Sequence, residues 1–219
     1  MPRAEIIALL EKTTTSAVSD VLMRRNLKNY MASRIRPLDP SLRLAGPAVT
    51  VRRKAVELVP RDGERPRDRF IETIEAAAPG SVMVVVSDAE REAALWGGLL
   101  AAAGAHGMLG GVVTDGPVRD PSEIVGLKFP TFCTGSVPAG GAGIITHGAV
   151  NEPVACGGVT VQPGDFVYGD SNSVVVIPSD LVIEILQEAV VVEARDQEAA
   201  RRILAGAGFA ETMRSLGRA

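Results

Sequence analysis

Aromatic residues make up only 4% of this 219-residue chain, and a single tryptophan stands among them. A core of normal size must then be filled by Ala, Val, Leu and Ile, which suits closely spaced helices and parallel strands buried on both faces. Cysteine is almost as scarce. Cys133 and Cys156 are too few and too far apart for a disulfide scaffold or a zinc site, and their apolar and glycine neighbours make each a small buried hydrophobe. Charge of one sign is missing too: the formal net charge is −3, and no stripe of basic and aromatic residues runs along the chain. That argues against a nucleic-acid partner. No uncharged apolar run has membrane length. Residues 93–119 come closest, but they carry His106, Asp115 and many glycines. The opening MPRAEIIALLEK places acids inside its apolar stretch and reads as an amphipathic helix, not a signal peptide. A soluble cytoplasmic protein with no membrane partner is expected.

What is present is an alternation of short elements. Helices are predicted over residues 4–12 and 16–25, the second capped by Thr15 or Ser16. Ala48–Val51 reads as a strand introduced by Gly46-Pro47. The densest charge cluster, Arg61–Arg69, mixes both signs and reads as a solvated loop. A helix over 67–78 stops at Pro79-Gly80. Ser81–Val86 (SVMVVV) is a continuous apolar run, as in a strand covered on both faces. A helix over 92–106 and a strand around Val112-Val113 complete a βαβ unit. Thr131–Thr134 is a further strand, and the Val-rich runs between Asn151 and Pro178, broken by Gly, Pro and Asp turns, predict β-hairpins. A long helix begins near Asp180 and breaks near Gly206. Nothing divides the chain, so residues 1–219 are expected to form one α/β domain with a helical extension over about 180–219.

Chemistry concentrates in GMLGGVVTDGPVRD, Gly107–Asp120. A strand that ends in a glycine turn presents its next side chains at the carboxyl edge of a sheet, where open α/β folds bind ligands. Arg119 offers a planar fork of donors to a carboxylate or an enolate oxygen. Asp120 offers hard oxygens to Mg²⁺ or Mn²⁺. The same pair also suits a surface ion pair capping a turn. Upstream, Gly97-Gly98 in LWGGLL stand near the start of a helix. There they either free backbone N–H groups to hold an anion or let the helix pack tightly on the sheet.

Taken in order, TTTSAVSDVL, RIRPLDPSLRLAGPAVTV, PGSVMVVV, WGGLLA, GGVVTDGPVRD, FPTFCTG, NEPVACGGVTVQPGDFVYGD and SVVVIP resemble the RraA-like family. That family contains the regulator of ribonuclease E activity and the divalent-metal-dependent 4-hydroxy-4-methyl-2-oxoglutarate aldolases. The resemblance runs from about Thr13 to Pro178. It implies a swivelling α/β/β-type fold with helices flanking a buried sheet, a β-rich C-terminal half and a closing long helix. It also implies homotrimers or hexamers with sites at subunit interfaces. Carried over by position, Asp120 is the metal-bound aspartate and Arg119 contacts the substrate's keto or enolate oxygen. Gly97, Gly98, Leu99 and Leu100 form the loop whose amides hold the substrate carboxylate. The implied cofactor is Mg²⁺ or Mn²⁺, and the implied partner is a small 2-oxo acid.

One feature departs from the aldolase pattern Asp-x20-Arg-Asp: the acidic position is Gly98. Retro-aldol cleavage removes a proton from the C4 hydroxyl, and losing the group that does so costs about 10²–10⁴ in rate. Decarboxylation of oxaloacetate needs the same electron sink but no such deprotonation, so it should survive Gly98 better. Candidate substitutes are Asp88, Glu90 and Glu92, with Glu188 or Glu193 near the C-terminus. His106 reads as a helix C-terminal cation, and Asp115, Asp165 and Asp170 as turn residues. Three functions stay open: a metal-dependent aldolase or decarboxylase releasing pyruvate, a metal enzyme of sugar-acid degradation on the same scaffold, and a non-catalytic regulator of a ribonuclease.

Overall fold

The computed structural model describes residues 3–56, 70–89, 93–141 and 144–217. The Arg61–Arg69 run, Glu90 and Glu92 lie outside the described residues. In chain order the elements open with α1 (Arg3–Leu10), α2 (Thr15–Arg24), β1 (Arg36–Pro37), β2 (Leu44–Ala55), α3 (Phe70–Ala76) and β3 (Val82–Ser87). Next come α4 (Gly98–His106), β4 (Gly111–Thr114), α5 (Pro121–Gly126), β5 (Thr131–Cys133) and β6 (Ile145–Val150). The chain closes with β7 (Val154–Cys156), β8 (Val159–Val161), β9 (Phe166–Gly169), β10 (Val174–Ile177), α6 (Val182–Leu204) and α7 (Phe209–Ser215). These elements group into two compact units, Asn29–Ser179 and the pair of segments Met1–Lys28 and Asp180–Ala219. No helix among the described residues is long and apolar enough to cross a membrane.

The larger unit is built on an eight-stranded sheet of order β1-β5-β4-β3-β2-β9-β10, with β6 pairing on β2 beside that path. β3 runs parallel to both β2 and β4, and β4 parallel to β5, so β3-α4-β4 is the predicted βαβ unit. Alternate β3 side chains leave on opposite faces. Val82, Val84 and Val86 join a core with Met31, Ile35, Leu44 and the valines of β7 to β10. Met83 and Val85 join another with Phe70, Trp96, Ile124 and Phe129. Helices therefore cover one face, and the β7–β8 hairpin with the sheet's own β9–β10 end encloses the other, which is why β3 reads as an unbroken apolar run. The predicted hairpins are present as the antiparallel pairs β7–β8 and β9–β10.

Three boundaries differ from expectation. β2 is not a four-residue strand after Gly46-Pro47. It spans Leu44–Ala55, pairing with β9 over Leu44–Pro47 and with β3 from Ala48 onward. The strand passes through Gly46 because no side chain fits there: a Cβ would fall on the Gly80 carbonyl oxygen, 3.1 Å from its carbon. α4 begins at Gly98, not at residue 92. And α2 is capped by Thr14, whose Oγ1 accepts the Ala17 N–H at 3.3 Å, one residue before the expected cap.

The smaller unit holds α1, α2, α6 and α7. α6 buries Val182, Ile185, Leu186, Ala189, Val192 and Ala199, the three-to-four spacing of one helical face. The Arg25 guanidinium bridges Glu184, at 2.6 Å, and Glu188. α6 ends at Leu204, and Gly206 turns the chain with a φ of +95°, where the sequence predicted a break.

Candidate active site

The site forms where three loops leave the carboxyl ends of β3, β4 and β5. After β3, residues 93–97 run extended rather than helical, and Trp96 makes a parallel bridge to Val118, which in turn bridges Ser136. Backbone bonds fix the register. Leu95 N–H donates to the Pro117 carbonyl, Ala94 N–H to that of Ala139 and Val118 N–H to that of Gly135, each at 2.9 Å. These short segments lack a strand's length, so apolar content alone made 92–97 look like the first turns of a helix.

Arg119 enters this frame through its own N–H, which donates to the Trp96 carbonyl at 3.0 Å. Asp120 follows at the N-cap of α5, with Pro121 fixing the first helical residue. An aspartate at an N-cap ordinarily accepts an N–H of its own helix. Asp120 does not. Its backbone is left-handed, with φ 58° and ψ 46°, and no side-chain cap bond forms on α5. Instead Oδ2 accepts the Gly98 N–H at the start of α4, at 3.2 Å, and lies 3.4 Å from Arg119 Nε. Both contacts fall on Oδ2 and leave Oδ1 for a ligand. Such a backbone costs on the order of 1–3 kcal/mol and tends to be kept where function needs it.

Gly97 is the N-cap of α4 in extended conformation and provides no side-chain cap. First-turn N–H groups have no acceptor within a helix. That of Gly98 is taken by Asp120, and those of Leu99 and Leu100 are left for an anion. Space explains both glycines. A Cβ on Gly97 would stand 2.9 Å from Arg119 Cγ and 3.2 Å from Asp120 Oδ2. A Cβ on Gly98 would crowd Glu123 Oε2, the tip of an exposed side chain, and lie 3.1 Å from Glu123 Cδ. The carboxylate absent from position 98 thus has a counterpart reaching across from α5. Glu123 was not among the expected substitutes, which were Asp88, Glu90 and Glu92 before the glycine and Glu188 or Glu193 near the C-terminus. The signal was there: Glu123 stands three residues after Asp120, in the first turn of the helix that follows it.

The structure brings Gly97, Gly98, Arg119 and Asp120 together, with Leu99 and Leu100 in the adjoining turn; Leu99 is 80% exposed. The Arg119 and Asp120 side chains are 44% and 37% exposed, open enough for a ligand to reach. Other candidates are engaged elsewhere. Asp88 pairs with Arg52 at 3.4 Å, Glu188 with Arg25, and Glu193 accepts the Thr14 hydroxyl at 2.8 Å. His106 sits in the last turn of α4, as expected. Asp165 and Asp170 close turns by accepting the Gln162 and Asn172 N–H groups. Asp115 is more than a turn former. It pairs with Arg34 at 2.7 Å and accepts the Gly157 N–H at 2.9 Å, tying β4 to the β7–β8 hairpin. Both cysteines are buried, and burial holds their thiols in the neutral form, the Cys156 thiol well above its ordinary range.

The family model for RraA-like proteins, described as Aldolase/RraA, matches residues 15–176. The chain belongs to the RraA-like family. It is 31% identical over 207 residues to a protein of Halalkalibacterium halodurans named "Putative 4-hydroxy-4-methyl-2-oxoglutarate aldolase", covering 93% of this chain and 91% of that one. It is 26% identical over 202 residues to Protein DlpA of Legionella pneumophila, covering 92% of this chain but only 32% of that longer protein. The fold matches the crystal structure of RraAS2 from Streptomyces coelicolor, described as an unusual member of the RNase ES inhibitor RraA protein family. The TM-score is 0.78 at 25% identity, over 91% of this chain and 98% of that one. The α/β/β layering and the long closing helix are thus those of RraA proteins.

Proposed function

We propose that this protein is a divalent-metal-dependent lyase that cleaves a C–C bond in short 2-oxo dicarboxylic acids and releases pyruvate. The observation that carries the reading is the turn at Asp120, which aims a carboxylate away from its own helix, onto the α4 N-terminus and beside Arg119. Among the described residues no group of three or more His, Cys, Asp or Glu could hold an ion. Asp120 would hold Mg²⁺ or Mn²⁺ as a single carboxylate, since Mg²⁺ is commonly bound through one or two carboxylates, with water and substrate oxygens completing its shell. When bound, the ion supplies Lewis acidity toward the carboxylate and 2-oxo oxygens of the substrate.

The protein's own groups divide the remaining work. The N–H groups of Leu99 and Leu100 take the substrate carboxylate. Arg119 donates to the 2-oxo oxygen and stabilises the negative charge that collects there as the C–C bond breaks, a contribution of about 3–4 kcal/mol for a well-placed donor. Glu123, lying across Gly98, is the base for the C4 hydroxyl proton of an aldol substrate. With oxaloacetate, CO₂ leaves without that proton transfer, and the enolate carbon is then protonated to give pyruvate. The protein is expected to assemble as a homotrimer or a hexamer.

The test is pyruvate release from oxaloacetate and from 4-hydroxy-4-methyl-2-oxoglutarate with Mg²⁺, with Mn²⁺ and with EDTA. Turnover that requires the ion, and that Asp120→Asn lowers by at least about 10²-fold, supports the lyase. Full turnover by Asp120→Asn, or activity indifferent to chelation, refutes it. Silence of the folded protein on both substrates turns the reading to a ribonuclease-binding regulator, which the likeness to RraAS2 favours.

A further inference from the structure

Arg119 is approached at two points along its side chain by residues that have no side chain of their own. Gly97 lies under its stem, where a Cβ would come within 2.9 Å of Cγ and 3.1 Å of Nε. Gly140, from the loop after β5, lies under its tip, where a Cβ would stand 2.8 Å from Nη1 and 3.5 Å from Cζ. Gly140 is no incidental neighbour. Ala94 pairs with it in a parallel bridge, Ala94 N–H donates to the Ala139 carbonyl at 2.9 Å, and Val137 N–H donates to the Val118 carbonyl at 2.9 Å. The 135–140 loop is thereby fixed to the segment before Gly97 and to the segment that carries Arg119. The Arg119 side chain thus passes glycines of two loops in the space that a Cβ would take, while 44% of it stays open.

We propose that Gly140 is a positioning residue for Arg119: its bare backbone sets the height and tilt of the guanidinium, and so the place at which a substrate oxo group is received. The claim rests on the lyase reading for its kinetic consequence but not for its geometry. Gly140 has no positive φ, so alanine adds a methyl group without backbone strain. That methyl must push Nη1 aside. A displacement of about 1 Å at a catalytic group costs on the order of 10²-fold in rate.

The experiment compares wild type, Gly140→Ala, Arg119→Lys and the double variant. Gly126→Ala serves as control, because nothing lies within 4 Å of a Cβ at that glycine. The geometric readout is the ¹⁵N–¹H signal of the Arg119 Nε–H, assigned by its loss in Arg119→Lys. It should move in Gly140→Ala and stay in place in Gly126→Ala, at unchanged melting temperature. The kinetic readout is kcat and KM for oxaloacetate with Mg²⁺. Gly140→Ala should lower kcat/KM by about 10²-fold in the wild-type background and by less than about 2-fold in Arg119→Lys, because the two changes act on one group. An unmoved Nε–H signal overturns the proposal. So does an equal kinetic loss in both backgrounds, which would mean that the methyl acts without the guanidinium. If wild type turns over no substrate, the lyase reading falls, and the Nε–H signal alone decides whether Gly140 seats Arg119.

Discussion

At the scale of single residues, position 98 shows how sequence and space can point in different directions. A glycine where the resemblance to the aldolases implies an acid reads as a loss. In the structure the exposed Glu123 carboxylate leans into the space beside Gly98, with Oε2 close to where a side chain would begin. Restoring the acid is therefore not simple. Gly98→Asp alone must turn the exposed Glu123 aside and set two carboxylates near each other, a like-charge contact that costs about 0.5 kcal/mol. Urea denaturation should show that loss, and Glu123→Ala in the same chain should recover most of it. Equal stability of Gly98→Asp and wild type would mean that Glu123 swings clear at no cost. The pairing of Arg119 with Asp120 was legible because both follow a strand and a glycine turn. The left-handed Asp120 was not, because aspartate reveals such a backbone only through its neighbours.

At the scale of elements, the continuous apolar run of β3, the βαβ unit around it and the two hairpins were legible from hydrophobic pattern and turn residues. The start of α4 and the length of β2 were not. Both depend on glycines whose role is to let another chain segment approach, and a glycine's neighbours are invisible in sequence. Gly104 is a third case. It is buried in α4, with Phe129 Cζ 2.8 Å from where a Cβ would stand, and Phe129 in turn stacks on Trp96 at 6.0 Å between ring centroids. Alanine gains about 1 kcal/mol of helix propensity over glycine, but overpacking costs about 1–3 kcal/mol. The clash is with a ring wedged against another ring, so the cost should win. Gly104→Ala should lower stability by about 1–2 kcal/mol in denaturant titration, while Phe129→Leu should reverse the sign of its effect. A stabilised Gly104→Ala would show that α4 can lift off the sheet freely.

At the scale of the whole molecule, the family and its layered fold were legible from phrases spread between Thr13 and Pro178, whereas the grouping of the first two helices with α6 and α7 into a unit of their own was not. That grouping joins segments more than 150 residues apart in the chain, and local pattern carries no signal for it. The charge economy of the site has a consequence for the protein as a body. On the proposed lyase reading, an ion held by Asp120 and few other protein groups would contribute little to folding, because a weakly bound ligand stabilises only as the logarithm of its concentration over its dissociation constant. Chelation should abolish turnover while leaving the melting temperature within about 1 °C. A large drop in melting temperature on adding EDTA would point to an ion bound tightly by the fold itself.

The chain's one tryptophan sits at a telling place. Trp96 is 1% exposed, lies between Phe70 and Phe129, has no hydrogen-bond partner for its indole N–H among the described residues, and accepts the Arg119 N–H on its own carbonyl. An indole in such dry surroundings emits toward the blue. With no second tryptophan to dilute the signal, the protein's intrinsic fluorescence is an optical gauge on the segment that carries Gly97 and steadies Arg119, readable without any label as ligand is titrated in.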